Sequence, residues 1–191
     1  MKIEVPWIPS PINIVREALK LACVSEGDMI CDLGAGDGRV VIIAAKEKGA
    51  RGIAVEANRV LCGLIEALAK LHGVNDKIEI LCDSYYNADI SRASVLYLYL
   101  YPSILNKLRE KIEKEVRNGT RIVVLDFAFM NWIPILVKRI PDNSGIVRTL
   151  RLYIVGLSNC NARIKRLDRV RTEVVKGLER IFKCWYQSNN P

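Results

Sequence analysis

Asp32-Leu33-Gly34-Ala35-Gly36-Asp37-Gly38-Arg39 separates an apolar run at residues 29–33 from a second run at residues 40–48 whose spacing is helical. A strand entering a glycine-rich turn and a helix leaving it form the opening unit of a doubly wound α/β sheet. The turn leaves backbone N–H groups without helical partners, and its glycines let a ligand approach them closely. It therefore predicts a small-molecule cradle, and its acidity narrows the ligand. Asp32 lies two positions before the first glycine, Asp37 lies inside the loop, and Arg39 stands where the dinucleotide fingerprint G-x-G-x-x-G has its third glycine. Carboxylates there repel a pyrophosphate and suit a cation.

Outward from the cradle, residues 40–48 read as a helix stopped by Gly49, and residues 52–55 as a second strand ending at Glu56. Glu56 follows the glycines by roughly twenty residues, where a carboxylate can accept the ribose hydroxyls of an adenosyl ligand. A third helix over residues 59–72 stops at Gly73, so His72 reads as a cation at a helix C-terminus. Residues 77–81 read as a third strand with Asp83 past its end, either an acceptor for an adenine amine or a solvated turn residue. Residues 94–100 are a central strand that places Tyr97, Tyr99 and Tyr101 on one face. The first two read as core, and Tyr101, at the strand's end, as pointing to the mouth of the cradle.

Pro102 and Ser103 open a helix that runs to Val116, and residues 120–127 form a fifth strand closing on Asp126-Phe127. Two β-prone runs, 133–140 and 146–155, are joined by Pro141-Asp142-Asn143-Ser144-Gly145, a hairpin loop. Before the cradle, Val5-Pro6-Trp7-Ile8-Pro9 is too proline-rich for a central strand and predicts an extended arm. Ser10 reads as the N-cap of a helix ending near Ala22. Strands and helices alternating five times before a hairpin predict a doubly wound parallel sheet with an antiparallel edge. Asp32, Glu56, Asp83, Tyr101 and Asp126 all fall at or beside strand C-terminal ends, so one crevice could hold them.

With 191 residues the chain has the size of one domain and buries about two-thirds of its unfolded surface. No apolar run reaches the ~20 residues of a membrane span, which points to a cytoplasmic protein without a membrane partner. Six cysteines without C-x-x-C spacing and a single histidine argue against a metal site, and the cysteines read as reduced thiols, with a disulfide left open for a hyperthermophile source. Eight Lys/Arg against three Asp/Glu from Cys160 onward carry +5 of the net +8, so the tail is the electrostatic feature. In it, Leu167, Val170, Val174, Leu178, Ile181 and Trp185 form one apolar stripe of a helix, with Arg163, Lys165, Arg166, Arg169, Lys176, Arg180 and Lys183 mostly off it. That stripe predicts docking on the protein's own body or on a second copy. The basic face either is solvated or recruits an acidic acceptor, nucleic acid included.

The pattern D-x-G-x-G-D-G-R resembles motif I of class I S-adenosylmethionine-dependent methyltransferases. Together with the arm to Pro11, Asp89-Ile90-Ser91, Gly119-Thr120-Arg121-Ile122-Val123 and residues 127–132, it resembles the small archaeal protein-lysine methyltransferases. These are relatives of the mitochondrial lysine methyltransferases that act on the ATP synthase c-subunit and the adenine nucleotide translocase. The resemblance covers residues 4–156. It departs from the family at Trp7, where a tyrosine is usual, at Leu125-Asp126-Phe127 in place of His-Glu-Phe, and in the tail.

What the resemblance implies is an α/β, Rossmann-like, mostly parallel seven-stranded sheet over residues 1–156, with the arm at 1–10. Residues 157–191 add a basic amphipathic helix to the same globular unit. It further implies S-adenosylmethionine as cofactor and protein substrates with exposed lysines. Pro9, Asp32, Gly34, Ala35, Gly36, Asp37, Gly38, Glu56 and Asp83 are then the expected cofactor residues. Tyr101, Phe127 and Trp132 are candidate walls of the acceptor channel, and Asp126 would orient the amine or accept its proton through water. The residues alone leave open an RNA methyltransferase, a small-molecule methyltransferase and a non-catalytic adenosyl-binding module, as well as the oligomeric state.

Overall fold

The computed structural model describes residues 7–159, 174–176 and 178–184. Seven strands, β1 (Met29–Leu33), β2 (Arg51–Val55), β3 (Ile78–Leu81), β4 (Val95–Leu98), β5 (Arg121–Leu125), β6 (Leu136–Pro141) and β7 (Val147–Ile154), make one sheet. Its order is β3-β2-β1-β4-β5-β7-β6. The first five strands run parallel. β7 is antiparallel to both neighbours, so the edge strand β6 runs with the first five and β7 alone is reversed. The hairpin expected from Pro141 to Gly145 forms, with Asp142 Oδ1 accepting from Ser144 N and Ile146 N (2.9 and 3.0 Å).

The order reverses between β1 and β4, which opens the crevice where doubly wound sheets bind ligands. In register, Leu33 pairs with Val55 on one side and Leu98 on the other. Gly34 therefore leaves the sheet between Glu56 and Tyr99.

The central strands are buried on both faces because each face is covered. Helices α1 (Ile12–Leu21) and α2 (Arg39–Lys48) pack Ile14, Val15, Leu19, Val41 and Ala44 against Val95, Tyr97 and Val123. The opposite face of the sheet, through Leu96, Leu98, Ile122 and Val124, meets Ile104, Leu105, Leu108 and Ile112 of α4 (Pro102–Glu115). Each such aliphatic side chain contributes roughly 1.5–3 kcal/mol on burial. This holds the strand ends, and so the site, in fixed register. α3 (Arg59–Leu71) packs Ile65 on the first of these cores, and the side chain of its N-cap, Asn58, accepts from Val60 N.

The regular alternation read from sequence breaks between β3 and β4, whereas after β5 the chain passes straight into the hairpin strands as expected. Neither the β3–β4 nor the β5–β6 connection contains a helix. Ala88, Ile90 and Ala93 from the first connection, and Phe129 and Trp132 from the second, fill those places in the core. Cys62 and Cys82 form a disulfide with their Cα atoms 6.1 Å apart, correcting the expectation of reduced thiols throughout. The start of α3 and the end of β3 bring the pair together, a convergence that spacing along the chain cannot report. Ser10 does not cap α1: Pro11 holds the N-cap position, and Ser10 Oγ instead accepts from the Tyr97 hydroxyl (2.9 Å).

Residues 174–176 and 178–184 are helical and dock on the first core, with Val174 and Ile181 buried and Leu178 packed beside them. Leu167, Val170, Trp185, Arg163, Lys165, Arg166 and Arg169 of the sequence stripe lie outside the described residues. No helix among the described residues is long and apolar enough to cross a membrane.

Candidate functional site

Gly34, Gly36 and Gly38 all have positive φ (88°, 58° and 76°), so the loop makes a turn that side-chain-bearing residues adopt only with strain. Contrary to the sequence expectation, its N–H groups are mostly engaged within the protein. Gly34 N and Ala35 N donate to Val55 O (both 2.9 Å), Gly38 N to Ala35 O (2.8 Å), and Gly36 N to Glu56 Oε2 (2.9 Å). Glu56 Oε1 accepts from Asn58 N (2.9 Å), so one carboxylate ties the loop to the start of α3. The loop thus presents carboxylates to a ligand more than it presents amides.

Above the loop, a cavity of about 440 Å³ opens at the strand ends. On the side of β1 and β2 it is lined by Asp32, Asp37 and Glu56 with Gly34, Ala35, Val40 and Leu61. Asp32 is buried, and burial next to Glu56 and Asp37 pushes its carboxyl up to about 8. Among the described residues none donates a hydrogen bond to it. A buried acid without a donor, beside two more carboxylates, calls for a cation. The ammonium and sulfonium of S-adenosylmethionine fit that side, and the free lone pairs of Glu56 fit ribose hydroxyls. A pyrophosphate would add like charge.

The arm covers this side. Pro9, with Trp7, Ile8 and Ser10, lines the cavity. The Trp7 indole lies so close over Gly36 that a Cβ there would stand 2.0 Å from Nε1. Arg39 holds Asp37 through paired hydrogen bonds (Nε to Oδ1, 2.9 Å; Nη2 to Oδ2, 2.5 Å) and donates from Nη1 to Ser10 O (2.9 Å). The arginine standing at the third fingerprint position is therefore a clasp between loop and arm.

On the β4 and β5 side the wall is aromatic. Tyr99 stacks on Phe127 (6.1 Å between centroids), Tyr101 tilts against Phe127 (5.5 Å), and Tyr101 stands exposed on the rim. Five candidates lie off the cavity wall: Gly36 under the Trp7 indole, Gly38 against Ile65, and Asp83, Trp132 and Asp126. Asp83 is exposed in a turn, where Oδ1 accepts from Ser84 N and Asn87 Nδ2 (2.6 and 3.2 Å); its neighbours Ser84, Tyr85 and Tyr86 line the cavity instead. Trp132 is buried against Phe129 and Tyr153, and its Nε1 donates to Glu113 (3.2 Å). It fills core space that no helix covers, not an acceptor channel. Asp126 sits one layer behind the wall. Its Oδ1 accepts from Thr149 N (3.0 Å), and its Oδ2 pairs with Arg148 (2.8 Å). The sequence places Trp7 in the arm over the cradle, but does not single out Ser10, Tyr85, Tyr86, Tyr99 or Arg148 as site residues. Only the Tyr97-Tyr99-Tyr101 alternation carried a signal for one of them.

Residues 32–136, from the cradle to the edge strand, match the ANTKMT methyltransferase domain. The chain is 36% identical over 158 residues to a protein-lysine N-methyltransferase of Saccharolobus islandicus (strain REY15A), covering 80% of this chain and 95% of that protein. It is 29% identical over 133 residues to the ATP synthase c-subunit lysine N-methyltransferase of Xenopus laevis, covering 70% of this chain and 58% of that protein. Among solved structures it is similar to an RNA methyltransferase from Salinibacter ruber in complex with S-adenosyl-L-homocysteine (TM-score 0.73, 38% identity, 78% of this chain and 94% of that one). With a carboxylate-lined cradle at the sheet's switch point and a matching domain around it, the chain belongs to the ANTKMT methyltransferase domain family and is an S-adenosylmethionine-dependent methyltransferase.

Proposed function

We propose that this protein methylates lysine ε-amines of protein substrates. The observation that carries the reading is the cavity's polarity. Carboxylates line it on the β1 and β2 side, and Tyr99, Tyr101 and Phe127 on the β4 and β5 side, with Tyr101 exposed. A long apolar stem ending in an amine fits an aromatic-walled opening, and the likeness to the Saccharolobus lysine methyltransferase over 95% of its length supports the same class of acceptor.

When bound, S-adenosylmethionine supplies an activated methyl group, so the amine nitrogen bonds to the methyl carbon as the carbon–sulfur bond breaks. The chain's own residues position the partners and prepare the amine. Asp32, Asp37 and Glu56 hold the cationic and ribosyl parts. Trp7 to Ser10 exclude water from that side. A lysine ammonium, with a reference pKa of ~10.4, loses its proton more readily once desolvated between Tyr99, Tyr101 and Phe127.

RNA as acceptor is a second reading, favoured by the likeness to the Salinibacter RNA methyltransferase and by a pI of 9.3. Against it, the chain after β4 runs Tyr101-Pro102-Ser103, without the N/D-P-P-Y/F of amino-methylating nucleic-acid enzymes. Incubation with radiolabelled S-adenosylmethionine and lysate, followed by protease or RNase, separates the two. Label lost to protease and recovered as methyl-lysine is the expected result, and label lost to RNase overturns it.

A further inference from the structure

We infer that Tyr99 is the residue that holds the acceptor nitrogen during transfer, with Arg148 and Asp126 as its positioning residues. This rests on the lysine reading above and names the group at the reacting end of that site. Three tyrosines alternate out of β4 onto the cavity wall, and their hydroxyls have different fates. Tyr97 donates its hydroxyl proton to Ser10 Oγ (2.9 Å) and is buried. Tyr101 stands on the rim, 43% exposed. Tyr99 lies between them, beside Gly34 in the sheet register, and its oxygen accepts from Arg148 Nη2 (2.6 Å).

The apparatus behind Tyr99 is more than a core phenol requires. Arg148 and Asp126 form an ion pair whose side chains are only 14% and 26% exposed. The same guanidinium lies 5.4 Å from the Tyr99 ring centroid. Asp126 is held in a left-handed conformation (φ 61°), and Oδ1 is fixed by Thr149 N. Neither charged residue is on the cavity wall, so the pair reaches the site only through the Tyr99 hydroxyl. Because Asp126 offsets the charge of Arg148, an incoming amine meets a fixed dipole and not an unpaired cation.

The geometry has a chemical consequence. A neutral amine attacks with its lone pair, so it must be held by its N–H groups with the lone pair turned to the methyl. A phenol oxygen has two lone pairs, of which Arg148 occupies one. The second can accept an N–H of the amine, and Phe127, stacked on Tyr99, prevents the ring from turning away.

The test compares wild type, Tyr99→Phe, Arg148→Gln and the double variant on a lysine-bearing protein acceptor. Each is assayed for kcat, for acceptor KM, for S-adenosylhomocysteine affinity by calorimetry and for thermal stability. Tyr99→Phe keeps the ring and its stacking. It should lower kcat roughly tenfold or more, with cofactor affinity and melting temperature unchanged. Arg148→Gln should give a similar kcat loss, and the double variant no further loss, because both act through one hydroxyl. A merely structural network would instead lower stability and leave kcat per folded molecule intact. If wild type labels lysine and Tyr99→Phe turns over at the wild-type rate, or if the two losses multiply, the inference is wrong. If wild type labels RNA and not lysine, the lysine reading itself fails.

Discussion

Asp32 is an acid placed where its charge is unfavourable until a ligand arrives. Burial, Glu56 and Asp37 raise its carboxyl to about 8 from the ordinary 3.8. The folded protein therefore binds a proton that the unfolded chain gives up between pH 4 and 8, and this group's contribution to stability declines as pH rises through that window. Cofactor binding has the opposite sign, because a bound cation favours the carboxylate. Calorimetric affinity for S-adenosylhomocysteine, which keeps the ammonium, should rise up to about tenfold per pH unit from pH 6 toward 8 and then level off. Asp32→Asn should remove that dependence and weaken binding, while the ligand-free variant melts higher than wild type above pH 8. A wild-type affinity that is flat from pH 6 to 9 would show that Asp32 does not face the ligand's charge.

At the scale of elements, two braces shape the cavity. The arm is clasped by Arg39 through Ser10, and Trp7 rests on Gly36. Opposite, the Cys62–Cys82 disulfide ties the first turn of α3, next to Asn58 and Leu61, to the segment leading into Ser84, Tyr85 and Tyr86. Closing a loop of 20 residues stabilises by about 3 kcal/mol in the chain-entropy model. In a chain of this length that is a melting shift of roughly 6–12 °C. Scanning calorimetry with and without reductant should show that drop in wild type and none in Cys62→Ser/Cys82→Ser, together with weaker cofactor binding in the reduced form.

The same elements show what a sequence can report. The cradle, Glu56 and the strand-end positions were legible because each is fixed by local pattern: periodicity, glycine at positive φ, a carboxylate at a strand's end. Trp132 was misplaced because it packs on Phe129 and on Tyr153 of β7, a contact that local pattern does not encode. Of the two readings open for Asp83, the solvated turn residue is the one seen, and its neighbour Ser84 lines the cavity. Arg148 and the disulfide depend on contacts between residues distant in sequence, which no local pattern encodes.

Across the whole molecule, the described part of the C-terminal helix is bound to the body by more than its apolar stripe. Asp28, with a fully buried side chain, pairs with Arg121 inside the core and with Arg180 of that helix (2.9 Å). Ser94 Oγ (2.8 Å), Ser25 N (2.9 Å) and Ser25 Oγ (3.5 Å) also donate to it. Arg180 also donates to Ser25 Oγ. Of the basic residues that the sequence places off the stripe, Arg180 is therefore held by the protein itself. Ile181, 1% exposed, packs into the core under α1. Two substitutions separate docking from recruitment. Ile181→Asp places an unpaired charge in that core and should destabilise by roughly 3–5 kcal/mol. Arg180→Gln leaves Asp28 with Arg121 and should lower stability by no more than about 1 kcal/mol, since its side chain is 43% exposed. Neither should change the acceptor KM of the folded fraction. Urea unfolding together with initial rates below the transition would check this, and a raised KM for Arg180→Gln at unchanged stability would return the residue to the acceptor surface.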